Sequence, residues 1–339
     1  MAKHKTLAFF IPHRGCPHQC SFCDQRTISG TVQAPAPEEI AQTCEEMLER
    51  QAPLKDAEIA FFGGSFTAVP RRYMLELLEA AQPFIGEGRF SGIRISTRPD
   101  YIDEEILDIL KAHHVTAIEL GAQSMSDEVL EANERGHSAK DAAYAAMLIK
   151  SRRCFQLGLQ MMVGLYKSTP QEERRSWRRI AALSPDTVRI YPVVILEGTR
   201  LGELYKSGEY QPFDFDTAVE LCAGFLADAE QRGIEVIKLG LHASRDVEAK
   251  KLGGFYHPAF RELCEGRLYL RQMVKELTAA GGGKLPKSAV IAVPPKHMSR
   301  ATGHKRCNAE YFRTLGTQVR FIPREGAEHF EIEQVENAD

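Results

Sequence analysis

The chain has 339 residues, 43% of them hydrophobic and 26% charged, which are the proportions of a folded globular protein. That length allows one barrel-sized domain with an appendage, or two ordinary domains. A formal net charge of -3 excludes a global electrostatic pull on nucleic acid or anionic membrane, so any such pull must come from a local patch. No apolar run approaches the ~18 residues that span a bilayer. The short run Leu7–Pro12, preceded by Lys3, His4 and Lys5, reads as a buried strand rather than a signal peptide. The expected compartment is the cytoplasm, where the eight cysteines should not form structural disulfides.

Apolar runs and helix-like stretches alternate from the start. Thr6–Pro12 is followed by a cysteine-rich loop and a helix over Pro37–Gln51. Glu58–Phe62 runs into Gly63-Gly64, with a helix after Pro70. Gly92–Ser96 precedes a Pro-Asp turn and the helix Glu104–His113. Ala117–Leu120 precedes the helix Asp127–Asn133, and Phe155–Val163 precedes one over Pro170–Ala182. Thr187–Val193 is followed by a loop and the helix Asp214–Arg232, and Val236–Leu239 comes last. Short strands alternating with longer helices predict βαβ units and a parallel sheet. Six or seven such units suit an α/β fold of the full or partial (β/α) barrel type, with its chemistry at the C-terminal ends of the strands.

The rhythm changes after Leu241. Gly253–Pro258 reads as a connector, Glu262–Ala279 as a helix and Gly281–Gly283 as a break. Ser288–Val293 and Gln318–Ile322 then read as strands around a helix over Lys305–Thr314. The expected organisation is a barrel over 1–241, a connector and helix over 242–281, and a small α+β appendage over 282–339.

Five cysteines, Cys44, Cys154, Cys222, Cys264 and Cys307, are scattered and read as core filler. Cys16, Cys20 and Cys23 fall within eight residues, in Gly15-Cys16-Pro17-His18-Gln19-Cys20-Ser21-Phe22-Cys23-Asp24. Thiolates suit iron–sulfur clusters and zinc. A fully protein-ligated [4Fe–4S] cluster takes four cysteines. Three from one loop leave an iron open, which marks a reactive site rather than a structural one. The competing reading is a Cys3His zinc site completed by His13 or His18, although such sites usually draw on two separated ligand pairs.

The loop C-x3-C-x2-C after a first strand, with Phe22 before the last cysteine, resembles the signature of the radical S-adenosylmethionine (SAM) superfamily. The resemblance implies a [4Fe–4S] cluster on Cys16, Cys20 and Cys23 that binds SAM and reductively cleaves it to a 5′-deoxyadenosyl radical. It also implies an electron donor, either a reductase or a protein of the flavodoxin or ferredoxin type. Gly63-Gly64-Ser65 stands where the superfamily binds the SAM amino group through backbone, with Ser65 in place of the acid that many members carry. Thr97 and Arg98 in Ser96-Thr97-Arg98-Pro99-Asp100, and Gln123 in Glu119-Leu120-Gly121-Ala122-Gln123-Ser124, are the further SAM-binding candidates. Taken alone, each of these segments is an ordinary turn.

Together the stretches FFGGSFTA, STRPDYI, ELGAQSM, MVGL and IYPVVILEGT resemble the radical SAM part of the elongator catalytic-subunit family, which modifies the wobble uridine of tRNA. They span about residues 8–201. The resemblance to oxygen-independent coproporphyrinogen oxidases is weaker. No acetyl-CoA-binding segment is expected in a chain of this length, so the acetylating step of that family is not. A tRNA-like RNA is the expected substrate, with a small metabolite or tetrapyrrole as the alternative, and a non-catalytic iron–sulfur or zinc module as a third reading. Tyr191 and Cys264 are the candidates for relaying a radical.

Between Lys284 and Arg324 lie nine basic residues, and Glu310 is the only acid. Strand, loop, helix and strand in this order resemble a KH-like RNA-binding unit. Gly303-His304-Lys305-Arg306 lacks the second glycine of the GXXG loop in such units. The alternatives are a solvated basic face or one docked against an acidic surface.

Overall fold

A computed structural model describes residues 5–12, 14–17, 19–31, 33–50 and 57–337. His13 and His18, the candidate zinc ligands, lie outside the described residues. The chain divides into two compact units, one running to Asp214 with Ala229–Tyr256, the other Phe215–Asp228 with His257 onward.

In the first unit eight strands come in chain order: β1 (Lys5–Phe10), β2 (Ala57–Phe62), β3 (Gly92–Thr97), β4 (Val115–Gln123), β5 (Gln156–Val163), β6 (Thr187–Pro192), β7 (Val194–Leu196) and β8 (Glu235–Leu239). All but β7 form one parallel sheet ordered β1-β2-β3-β4-β5-β6-β8. No β1–β8 pairing closes it among the described residues, so the α/β architecture expected from the sequence is a partial barrel. Strands buried on both faces read as near-continuous apolar runs. Ile59, Ala60 and Phe61 on β2 and Leu157 and Leu159 on β5 follow that rule.

The helices between strands pack through one apolar stripe. In the helix Glu104–Ala112 that stripe is Ile106, Leu107 and Leu110, with Asp103 capping the N-terminus through Ile106 N (2.8 Å). A helix over Ala139–Ser151 was not expected from the sequence. Its buried face is built mainly of alanine (Ala139, Ala142, Ala145, Ala146 and then Ile149), too small to register as an apolar period. A ninth strand, β9 (Lys251–Gly254), pairs antiparallel with β7 where the sequence suggested only a connector.

The second unit holds β10 (Ser288–Val293), β11 (Gln318–Pro323) and β12 (Glu331–Glu336) in the order β11-β10-β12. β10 and β11 run parallel, β10 and β12 antiparallel. Met273 and Leu277 of the helix Phe260–Ala280, Ala301, and Phe312 of the helix Cys307–Thr314 close one core with Ile291 and Val293. No helix among the described residues is long and apolar enough to cross a membrane.

Candidate active site

The C-terminal ends of β1 to β6 and β8 open onto one cavity of about 460 Å³. Cys16, Cys20 and Cys23 line it together with Gly63, Gly64, Thr97, Arg98, Gln123, Arg135, Gln160 and Tyr191. Eight of the nine residues singled out in the sequence therefore meet in one place. Ser65 is the exception, being fully buried and off the cavity wall. Its hydroxyl is shared with Thr97 Oγ1 (2.8 Å) and accepts from Arg98 N (3.2 Å), while Thr67 Oγ1 meets the same Thr97 oxygen at 2.6 Å. Ser65 thus ties the turn after β2 to the turn after β3.

The cysteine loop is fixed from three sides. Ser21 Oγ donates to Asn133 Oδ1 (2.8 Å), Ser21 N donates to Asn133 O (3.2 Å), and Leu201 N donates to Ser21 O (2.7 Å). Beyond it, Asp24 caps the helix Gln25–Ser29 by accepting from Thr27 N (3.1 Å). Gln25 Oε1 reaches back to accept from Gly64 N (2.7 Å). The glycine pair was expected to let backbone approach a ligand. What the structure demands of Gly64 is a close approach to the cysteine loop: at φ +49°, a Cβ there would sit 2.2 Å from Arg14 O. Gly15 mirrors it, since a Cβ would lie 2.3 Å from Ser65 O. Ser65 N donates to Arg14 O at 3.0 Å between the two contacts, so the loops interlock backbone to backbone.

Burial dominates the electrostatics of the thiols. Burial, with neighbouring Cys20 adding to it, pushes the Cys16 thiol above its usual value, and Arg135 and Arg98 oppose the rise. Burial pushes Cys23 up to about 12, with Cys20 and Cys16 contributing. Such thiols stay protonated unless a cation displaces the protons. Among the described residues no three His, Cys, Asp or Glu side chains converge on a single metal ion. The three thiols would hold an iron–sulfur cluster rather than a single ion.

Two buried guanidinium groups flank the thiols with donors to spare. Arg135 donates to Cys20 Sγ (3.0 Å) and to Gly121 O (2.7 Å), leaving Nε buried with no partner among the described residues. Arg98 forks onto Asp100 (3.0 and 2.8 Å), leaving Nη1 in the same condition. A buried unpaired donor costs about 1–3 kcal/mol, so both positions call for an anionic acceptor. An iron–sulfur cluster and the carboxylate of SAM are acceptors of that kind, and the residues present fit them. Gln123, at φ +63° and 5% exposed, sits at the bulged end of β4 and accepts from Gln160 Nε2 (3.2 Å). A left-handed non-glycine residue in such a place is strain held by its surroundings, and strain of this kind gathers at functional sites.

Below the cavity runs a buried chain of charges. Arg94 Nε donates to Glu58 (2.7 Å), Nη1 to Glu119 (3.2 Å) and Nη2 to Gln156 (2.6 Å). Arg189 then donates to both oxygens of Glu119 (2.5 and 3.0 Å) and lies over the Phe62 ring. Two cations alternate with two anions, so the floor is electrically balanced. Of the radical-relay candidates, Tyr191 lines the cavity, with burial raising its phenol and Arg189 opposing the rise. Cys264 belongs to the other unit.

Sequence reasoning missed Asn133, Arg135 and His137. The signal was Asn133-Glu134-Arg135-Gly136-His137, a polar turn carrying Arg and His just after the helix that follows β4. Burial first, then Arg135, holds His137 down at about 4, so its ring is neutral at pH 7.

The model of the Radical SAM superfamily matches residues 10–176, and that of the Radical_SAM C-terminal domain matches 185–270. An uncharacterized protein of Methanocaldococcus jannaschii is 30% identical over 244 residues, 66% of this chain and 73% of that protein. A tRNA uridine(34) acetyltransferase of the same organism is 30% identical over 197 residues, and the match covers 52% of this chain but 36% of the relative. The counterpart in Dehalococcoides mccartyi is 27% identical, with 62% and 53% covered. The chain therefore spans between about a third and half of the length of those acetyltransferases. The solved structure of Methanocaldococcus infernus Elp3 with an N-terminal deletion shares the fold, at a TM-score of 0.63 and 20% identity over 84% of this chain and 69% of that one. On the cysteine loop, the partial barrel and these matches together, the chain belongs to the radical SAM superfamily of enzymes.

Proposed function

We propose that this enzyme holds a [4Fe–4S] cluster on Cys16, Cys20 and Cys23, cleaves SAM there, and acts on an RNA of the tRNA type. The carrying observation is that three thiols from one loop share a cavity with the Gly63-Gly64 turn and two arginines whose buried donors lack acceptors among the described residues. When bound and reduced by one electron from a reductase or a flavodoxin- or ferredoxin-type donor, the cluster supplies the electron that breaks the SAM sulfonium bond to give the 5′-deoxyadenosyl radical.

The protein's part is to bind, orient and shield. Arg135, already bonded to Cys20 Sγ, offsets the negative charge of the thiolates. Arg98 offers Nη1 to the SAM carboxylate while Asp100 holds its other edge. The backbone of Gly63 and Gly64 takes the amino group. Gln123, held by Gln160, faces the ribose hydroxyls. Ser65 and Thr97 act behind this layer, keeping the two turns in register. The RNA reading is supported by the similarity to tRNA uridine(34) acetyltransferases across the radical SAM part.

The test is anaerobic reconstitution followed by incubation with SAM, dithionite and cellular tRNA. Deoxyadenosine release that rises when tRNA is added is expected. No deoxyadenosine from iron-loaded protein would overturn the cleavage, and release stimulated by small-molecule fractions but not by RNA would overturn the substrate. Cys20→Ala should abolish the cluster's visible absorbance.

A further inference from the structure

In the second unit the sheet order β11-β10-β12 separates charge. The edge strand β12 carries Glu331, Glu333 and Glu336, while β11, the opposite edge, carries Arg320 and packs with Phe312 of the helix Cys307–Thr314. Arg300, Arg313 and Arg324 are neutralised by Glu265, Glu310, and Glu331 with Glu333. Lys296, Lys305, Arg306 and Arg320 are exposed and enter no ion pair among the described residues. Lys305 and Arg306 form the turn between the helices Met298–Thr302 and Cys307–Thr314, both left-handed at φ +50° and +63°. From this turn an exposed stripe of Cys307, Tyr311 and Leu315 runs at four-residue spacing along one helix face. Tyr311 is 41% and Leu315 50% exposed.

Cations at one end of an apolar and aromatic stripe suit a polymer with phosphates on one side and flat unpaired bases on the other. A duplex hides its bases and could use only the charge. We infer that this face binds a single-stranded segment of RNA, with Lys305 and Arg306 on the backbone and Tyr311 and Leu315 under the bases. The choice of RNA over DNA rests on the substrate reading above. The binding itself does not, and it is measured without turnover.

The experiment uses the full chain with its cluster, without SAM or reductant, and a fluorescein-labelled 12-nucleotide RNA of mixed sequence, followed by anisotropy from 50 to 200 mM salt. The expected result is binding at least tenfold tighter than to the matched RNA duplex. In the double variant Lys305→Asp/Arg306→Asp the log–log salt slope should shrink by about 1.4, the share of two phosphates on a single strand. Aspartate tolerates the left-handed region, so the turn is kept. Tyr311→Ala should weaken binding about 5- to 150-fold with the slope unchanged. Single-strand binding unaltered in both variants, or equal affinity for the duplex, overturns the inference. Either result leaves deoxyadenosine release, measured separately, to judge the radical chemistry.

Discussion

Glu173 offers the sharpest test of the electrostatics around the strand ends. It lies on the helix Pro170–Ala182 and is 2% exposed. Its Oε1 accepts from Gly164 N and Ser168 Oγ, both at 2.6 Å, so the carboxyl holds the loop after β5. Burial pushes it up to about 7 from 4.5, against the pull of those two donors. Carrying a carboxyl that far corresponds to roughly 3 kcal/mol at 1.36 kcal/mol per pH unit. Because the folded value is the higher one, the folded state binds more protons between pH 4.5 and 7. Stability is therefore fully present below pH 4.5 and is lost as pH rises through 7. Glu173→Gln keeps an oxygen for both donors and cannot ionise. It should match the wild type near pH 4.5 and exceed it by roughly 3 kcal/mol at pH 8. Urea unfolding followed by the fluorescence of Trp177, the single tryptophan, buried on the same helix, measures this at pH 5 and pH 8. A stability difference between variant and wild type that stays the same at the two pH values refutes the reasoning.

Gly64→Ala should destabilise the protein by about 2 kcal/mol or more, because the new methyl meets backbone, at Arg14 O, and no side chain can move aside. Iron content after reconstitution should fall with it, and a variant that melts like the wild type and loads fully would contradict the interlock. Arg135→Gln removes a charged donor from Cys20 Sγ, so the reduction potential of the proposed cluster should drop. An electron-paramagnetic-resonance redox titration showing an unchanged midpoint would mean that Arg135 only fills space.

Much of the barrel was legible because its strands are buried on both faces and so advertise themselves as apolar runs between turn residues. Ser288–Val293 was read to the residue. The cysteine loop stood out because three thiols fall within eight residues, and folding brings all three to one cavity. Other features were hidden for physical reasons. Alanine-faced helix Ala139–Ser151 carries little hydrophobic contrast. The short strand β9 ends in Gly253-Gly254 and draws its pairing from β7, far away in sequence. Ser65 reads as a ligand-side residue by position, and only three-dimensional packing turns its hydroxyl toward Thr97. Arg135 is brought to Cys20 by folding across 115 residues of chain, which no local pattern reports.

An open sheet has no last pairing to stop it from splaying, and the charge chain beneath the cavity supplies a substitute. Glu58, Arg94, Glu119 and Arg189 stand on β2, β3, β4 and β6, and Gln156 brings in β5. At Gly158 of β5 a Cβ would lie 2.8 Å from Glu119 Cγ, so the missing side chain makes room for Glu119 to reach Arg189 across that strand. The result is a girdle that ties five strands through their side chains as well as their backbones. Widening the lumen for a bulkier guest would strand a buried charge, a penalty of several kcal/mol. Evolution of a new substrate range on this scaffold is thereby steered to the rim and its loops, while the throat keeps its bore.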